Sequence, residues 1–189
     1  DVAPSRGLGD VYKRQIVCID ENTTQSIVQN VKKKAVTYAL NNKNADYTAE
    51  NITLEKNGCP TFDIFNKDRK VLSVSLNVAG DHNICNALGV TAACEFLGIE
   101  PEYIKSGLEE FRGAKRRFDR LGKTETGVDV VDDYAHHPTE IKTTLETAKK
   151  MGYNNVWVAF QPHTYTCLLY TFRAHETELH LVCRLLLEK

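Results

Sequence analysis

The sequence predicts an α/β protein in two parts, and three observations carry that reading. Between Tyr47 and Val78, the alternating segments "NITLEK", "TFDIFN" and "VLSVSLNV" are separated by the turn residues "NG" and "NKD", the pattern of antiparallel strands joined by tight turns. Two helical stretches follow. Then "GVDVVDDY", "PTEIKTTLETAKKMG" and "NVWVAF" read as strand, helix and strand, a Rossmann-like βαβ unit with a parallel pair.

Taken in order, "DVAPSRGLGDVYKRQ" (1–15) has neither helical nor strand periodicity and reads as a non-native leader to be set aside. "IVCID" (Ile16 to Asp20) is a short buried strand, and a polar helix-like stretch and a second strand, "AVTYAL", come after it. Asn57-Gly58 is the sharpest turn signal. "NICNALGVTAACEFLG" places Ile84, Leu88, Ala92 and Phe96 four apart and stops at Gly98, so it reads as a helix. "PEYIKSGLEEF" opens on Pro101 and carries Ile104, Leu108 and Phe111 on one stripe, a second helix. "FRGAKRRFDRLG" reads as a connector, with a domain boundary near Phe111 to Gly113. In "PTEIKTTLETAKKMG", Ile141, Leu145 and Ala148 are expected to face inward. The segment 167–189 begins abruptly and reads as a non-native tail with few core contacts. As native chain, it would form an amphipathic helix through Leu179, Val182, Leu185 and Leu186.

Composition narrows the function. The 189 residues suffice for one ordinary domain or two small ones. Net charge is −1 with both signs interspersed, so no basic field points to nucleic acid or an anionic membrane. No apolar run approaches the roughly 18 residues of a membrane span. Six cysteines are scattered with no C-x-x-C, which predicts buried thiols in a reducing cytoplasm rather than a disulfide scaffold or zinc centre. Adjacent histidines do not readily chelate one ion, so no metal ligands are assigned.

The most informative stretch is "VVDDYAHHPTEIKTTL", Val130 through Leu145. It crowds two aspartates, a tyrosine and two histidines between a strand and a helix. Ligands of open α/β sheets bind beyond the carboxyl ends of strands, and "QPHTYT" (Gln161 to Thr166) ends the next strand. A right-handed crossover puts both polar clusters on one rim, which favours a ligand crevice over capping or surface solvation.

Other polar groups admit two readings each. His82, Asn83 and Asn86 open a helix, with the asparagines three apart on one face. Their carboxamides suit an adenine edge, while simple N-capping by Asn83 explains the same residues. Arg116 and Arg117 have the forked geometry that grips phosphate oxygens, or they are solvated linker residues. "GKT" at Gly122 to Thr124 is no phosphate loop, because the motif needs glycine where Arg117 stands.

In order, "GDHNICNALG", "FRGAKRRFD", "DDYAHHPTE" and "FQPHTYT" resemble the Mur ligase family, most closely its L-alanine-adding members, over about Ile16 to Thr166. The resemblance implies the end of a central ATP-binding domain at 16–111 and the start of a carboxy-terminal ligase domain at 112–166. It implies peptidoglycan synthesis in the cytoplasm by ATP-dependent joining of L-alanine to UDP-N-acetylmuramate through an acyl phosphate, with Mg2+ neutralising the phosphates. His82, Asn83 and Asn86 would contact adenine, Arg117 the ATP phosphates and Asp133 the ribose hydroxyls. Tyr134 and His136 would shape the L-alanine and reaction site, so the crowded junction would complete an interdomain site.

Departures from the family pattern bear on this implication. No "GTHGKT"-type phosphate loop, central-domain magnesium ligands or UDP-binding domain occurs in these residues, and Cys167 stands where the family expects arginine. The polypeptide is therefore expected to be an incomplete enzyme, inactive alone. Two alternatives compete: a ligase that recycles a whole peptide onto the same sugar, tending to Phe at the position of Tyr134, and a noncatalytic nucleotide-binding or structural domain.

Overall fold

In a computed structural model, residues 15–30, 35–160 and 183–188 are described. They group into two compact units. The first holds the described residues up to Thr53 with Thr61–Ser75 and Asn83–Glu109. The second holds Leu54–Pro60, Leu76–His82 and the described residues from Glu110 on.

In the first unit, strand β1 (Gln15–Cys18), helix α1 (Asn22–Asn30) and strands β2 (Ala35–Ala39), β3 (Tyr47–Leu54), β4 (Pro60–Asn66) and β5 (Arg69–Ser75) make a five-stranded sheet in the order β1-β2-β3-β4-β5. β1, β2 and β3 run parallel, and β4 pairs with β5 antiparallel. The sheet is mixed, with the expected antiparallel hairpin at its far edge. Alternation places Phe62, Ile64, Leu72 and Val74 inward, as the two-residue strand period requires.

Helix α2 (Asp81–Phe96) buries Ile84, Leu88 and Ala92 as expected, but Phe96 at the end of that stripe is half exposed. Because α2 starts at Asp81, Asn83 lies inside its first turn. The N-cap reading of Asn83 is thereby corrected. Helix α3 (Pro101–Glu110) buries Ile104.

In the second unit, β6 (Asp119–Lys123), β7 (Asp129–Asp133), helix α4 (Pro138–Lys150), β8 (Asn155–Ala159) and β9 (Cys183–Glu188) form a sheet in the order β6-β7-β9-β8. β9 is antiparallel to both β7 and β8. Those two strands therefore run parallel to each other, but they are not neighbours. The expected parallel pair is split by β9, and Cys183–Glu188 is a strand rather than part of an amphipathic helix. A short apolar run such as "RLLL" fits either periodicity, and pairing on both edges decides it here. Leu187 is fully buried with Val131 and Ala148, against the expectation of few core contacts after Cys167.

Strand β6 overlaps the expected connector "FRGAKRRFDRLG", and its charged, glycine-bearing sequence lacks alternation. Pairing with β7, through a register shift between Arg120 and Gly122, makes it a strand. The Asn57-Gly58 turn bends as expected: Gly58 has φ +80, a conformation that disfavours side chains. It groups with the second unit, where Arg120 donates to the Asn57 carbonyl at 2.8 Å.

Candidate functional site

β7 alternates strictly. Asp129, Val131 and Asp133 are buried, while Val130 and Asp132 lie on the other face at intermediate burial. The chain leaves β7 at Asp133 and enters α4 at Pro138. His137 is the N-cap: its ring accepts from the Thr139 N–H, and Glu140 reaches back to the cap backbone. Pro138 supplies the fixed φ of a first helical residue.

Asp133, 4% exposed, holds this junction together. Its Oδ2 accepts from the Phe118 N–H at 3.0 Å and from the Thr144 hydroxyl at 3.0 Å, and its Oδ1 accepts from the Ala135 N–H at 2.8 Å. A carboxylate offers about four lone-pair positions, so three bonds leave it room to accept from one more hydroxyl.

Asp132 faces the other way. Its Oδ2 lies 3.5 Å from Arg116 Nε, and its Oδ1 is buried with no hydrogen-bond partner among the described residues.

The segment "RRFD" is locked to the same junction. The Arg116 carbonyl accepts from the Tyr134 N–H at 2.8 Å, and the Arg116 guanidinium lies 4.7 Å over the Tyr134 ring, a cation–π contact. Arg116 has φ +60 and Phe118 φ +48. Both conformations cost side-chain residues energy and persist only where surroundings impose them. The imposing groups are the Asp119 carboxylate on the Arg116 N–H and Asp133 on the Phe118 N–H.

Tyr134 meets His136 edge to face at 5.5 Å. His136 Nδ1 is 3.0 Å from the Tyr134 carbonyl and 3.7 Å from Glu140 Oε2. A carbonyl only accepts, so Nδ1 carries the proton, and in the neutral ring Nε2 keeps the lone pair.

Glu140 ties Arg117 to this arrangement. Its Oε1 is 3.2 Å from Arg117 Nη1, and its Oε2 accepts from the His136 and His137 N–H groups. Burial pushes its carboxyl up, but the two backbone N–H bonds and Arg117 outweigh that and leave its pKa lowered. Neither Glu140 nor Thr144 was singled out from sequence. The signal for Glu140 was present in the spacing of "HPTE", three residues from cap to acid.

His82 belongs to the same unit, at the start of α2. Burial pushes its pKa down, against the opposing pull of Asp133 and Asp81 and with a small contribution from Arg117. Gly80 precedes it at φ +100, where an added Cβ would lie 2.7 Å from the His82 ring and 2.8 Å from Thr147 Oγ1. Asp81 pairs with Lys150 at the end of α4. The second unit thus brings His82, Arg117, Asp133, Tyr134 and His136 onto a single framework of β7 and α4. Asn83 and Asn86 fall in the first unit, where the Asn86 amide donates to Asn83 Oδ1 at 3.2 Å. They share the expected face. Gln161 to Thr166 lie outside the described residues.

Among the described residues, the one cluster with metal-ligating spacing is Cys18, Asp20 and Cys85. Two thiols and one carboxylate do not suit Mg2+, which demands oxygen ligands. No helix among the described residues is long and apolar enough to cross a membrane.

Comparison with known proteins agrees with this architecture. Residues 9–94 match the Mur ligase middle domain, and residues 116–179 match the Mur ligase glutamate ligase domain. A UDP-N-acetylmuramate–L-alanine ligase of Acetivibrio thermocellus is 45% identical over 151 residues, covering 80% of this chain and 32% of that protein. The solved UDP-N-acetylmuramate-alanine ligase of Thermotoga maritima matches with TM-score 0.56 and 36% identity, over 64% of this chain and 27% of that one. A murein peptide ligase of Psychrobacter arcticus matches with TM-score 0.53 and 29% identity, over 72% and 28%. The chain spans about a third of the length of the curated relatives it matches. Two successive domain types of one family, in order along one polypeptide and built on the fold described above, lead to a single conclusion: the chain belongs to the Mur ligase family.

Proposed function

We propose that this chain is part of an ATP-dependent ligase that joins L-alanine to UDP-N-acetylmuramate in the cytoplasm, with residues 16–111 in its central domain and 112–166 in its carboxy-terminal domain. The observation that carries the reading is the 45% identity over 151 residues to a protein of that name. The peptide-recycling alternative has weaker support: identity to the solved murein peptide ligase is 29%, against 36% to the alanine ligase. Tyr134 also stands where recycling enzymes tend to Phe.

The donor set at the end of β7 fits a nucleotide. Asp133 has acceptor capacity for a ribose hydroxyl, and Arg117 is half exposed, with one of its five N–H donors turned to Glu140. On this reading Arg117 grips phosphate oxygens, while Asn83 and Asn86, with His82, recognise adenine. ATP, when bound, supplies the phosphoryl group that activates the sugar carboxylate. Mg2+ would neutralise the phosphates of the bound nucleotide. Tyr134 and His136 line the amino-acid side. His136 Nε2, which keeps its lone pair while Nδ1–H bonds the Tyr134 carbonyl, takes a proton from the attacking amine.

The test is ADP release by the protein that carries this chain. It should require both UDP-N-acetylmuramate and L-alanine, and His136→Asn should lower kcat by about a hundredfold or more while ATP binding persists, the range general-base groups command. Faster release with an L-alanyl peptide than with L-alanine would favour the recycling reading. ATP binding without any ADP release would favour the noncatalytic one.

A further inference from the structure

The first unit contains a thiol–carboxylate cluster that the proposed ligase chemistry does not use. Cys18 ends β1, Asp20 follows it, and Cys85 lies on the second turn of α2. One sulfur from each cysteine and a carboxylate oxygen all fall within 4.8 Å of one another. Cys85 Sγ donates to Asp20 Oδ2 at 3.3 Å, and Cys18 Sγ points at the same oxygen from 3.9 Å. Two S–H groups thus converge on one oxygen.

We propose that Cys18, Cys85 and Asp20 form a binding site for a thiophilic divalent cation of the Zn2+ type. Three arguments support it. The first is geometric. Metal bonds of about 2.3 Å to sulfur and about 2.1 Å to oxygen, at a tetrahedral angle, separate the two ligand atoms by about 3.6 Å. The observed separations, 3.3 and 3.9 Å, lie either side of that value.

The second concerns charge. The reduced, metal-free cluster carries two neutral thiols and one carboxylate, a net −1. Binding one M2+ releases two protons and leaves two thiolates, a carboxylate and the cation, again −1. The exchange buries no additional net charge, which is the usual obstacle to an ion at a half-buried site.

The third is support around the ligands. Asp20 Oδ2 also accepts from the Leu40 N–H at 2.8 Å, and Oδ1 accepts from the Asn41 and Asn42 N–H groups at 2.8 and 3.2 Å. Hydrogen bonds of this kind orient a ligating carboxylate in advance.

Metal binding must expel both thiol protons, so affinity should rise with pH. Three ligands leave a fourth position for water or another donor. Sequence spacing gave no sign of this site, because Cys18 and Cys85 are far apart in the chain and neither belongs to a C-x-x-C pair.

The test is calorimetric titration of the reduced, chelator-treated full chain with Zn2+, in buffers of different ionisation enthalpy. Titration with Co2+ in parallel reports thiolate ligation by its charge-transfer absorption. The expected result is one ion per chain with two protons released near neutral pH. Cys18→Ser and Cys85→Ser should each weaken binding by more than about tenfold, since even residues behind the ligands are worth that much. The double variant Cys59→Ser/Cys94→Ser should bind as the parent does. Serine replaces a thiol with little change of volume, at half-buried Cys18, Cys85 and Cys94 and at buried Cys59, and circular dichroism checks that each variant is folded. Asp20→Asn is avoided, because that carboxylate also anchors Leu40 to Asn42. Binding that survives both single variants, that is lost equally in the Cys59/Cys94 variant, or that releases no protons overturns the assignment. So does formation of a Cys18–Cys85 disulfide with no metal uptake by the reduced chain.

Discussion

Asp133→Ala should unfold the second unit more readily than any change to the exposed side chains around it. The substitution removes an acceptor from two backbone N–H groups, Phe118 and Ala135, and from the Thr144 hydroxyl. Thr144 lies inside α4 and can turn its hydroxyl to a helix carbonyl one turn back, so its loss is small. The two N–H groups have no such recourse. Orphaning the buried Ala135 N–H costs about 1–3 kcal/mol and the part-buried Phe118 N–H less, which gives roughly 2–4 kcal/mol, a large share of the 5–15 kcal/mol by which domains are usually stable. Asp133→Asn keeps one oxygen and should cost about half as much. Thr144→Val removes one hydroxyl donor and should cost about 1 kcal/mol. Urea unfolding followed by circular dichroism gives all three on one scale, and the expected order is Asp133→Ala, Asp133→Asn, Thr144→Val. An Asp133→Ala variant within about 0.5 kcal/mol of the parent, the range of ordinary surface changes, would refute the view that this carboxylate holds the junction together. The same arithmetic makes loss of ligase activity in Asp133→Ala weak evidence for a ribose contact unless stability is measured alongside.

Three further outcomes are expected. Gly80→Ala should destabilise the chain by about 1–3 kcal/mol in urea unfolding, because its Cβ would meet the His82 ring and Thr147 Oγ1 in a left-handed backbone conformation. Hydrogen bonds from Lys70, Ser73 and Asn51 hold Asp63 at about 2, below its usual 3.8. Its contribution is therefore full above the unfolded value and lost as pH falls from about 4 toward about 2, and Asp63→Asn should flatten acid unfolding in that window. Burial keeps the folded pKa of His82 below 6.5, so its contribution is full above about 6.5 and lost as pH falls through the lowered value. His82→Gln should shrink the loss of Tm between pH 7 and 5.

Local patterns were legible wherever one residue period dominated. The stripe Ile84, Leu88, Ala92 fixed the buried face of α2, and Asn57-Gly58 fixed a turn. Strand order was not legible, because partners along a sheet are set by packing rather than by neighbours in sequence. β6 has no alternation to betray it, and "RLLL" near the carboxyl end fits a helix as well as the strand that divides β7 from β8. The junction motifs "RRFD" and "DDYAHH" were each visible. Their mutual bonding was not, since the left-handed conformations of Arg116 and Phe118 belong to residues without a glycine's signature. The thiol cluster was invisible for the same reason: β1 and α2 bring its members together across 65 positions.

The crowding at the end of β7 has a local explanation for nearly every group in it. Asp132 pairs with Arg116, Asp133 binds Phe118, Ala135 and Thr144, Tyr134 stacks on Arg116, and His137 caps α4. Even His136 and Arg117 converge on Glu140. A junction so fully used by its own fold would look the same in a domain that binds nothing, so polar density alone did not establish a ligand site. What points to one is the capacity left after the local bonds are counted: a lone pair on Asp133, the Nε2 of His136, and the remaining donors of Arg117. On the proposed function these three would meet a hydroxyl, an amine and a phosphate. The fold fixes each through its other side, with Thr144 and Phe118 on Asp133, the Tyr134 carbonyl on His136, and Glu140 on Arg117. Side chains held in this way lose little freedom on meeting a ligand, and that preorganisation is what aligned group transfer requires. Glu140→Gln therefore separates the two views. It weakens the hold on Arg117 and His136 without touching a substrate directly. As a positioning residue, it should lower kcat while leaving the chain folded, and Glu140→Asp should restore little, because the shorter side chain does not reach both partners. An unchanged kcat in Glu140→Gln would mean that the network serves the fold alone.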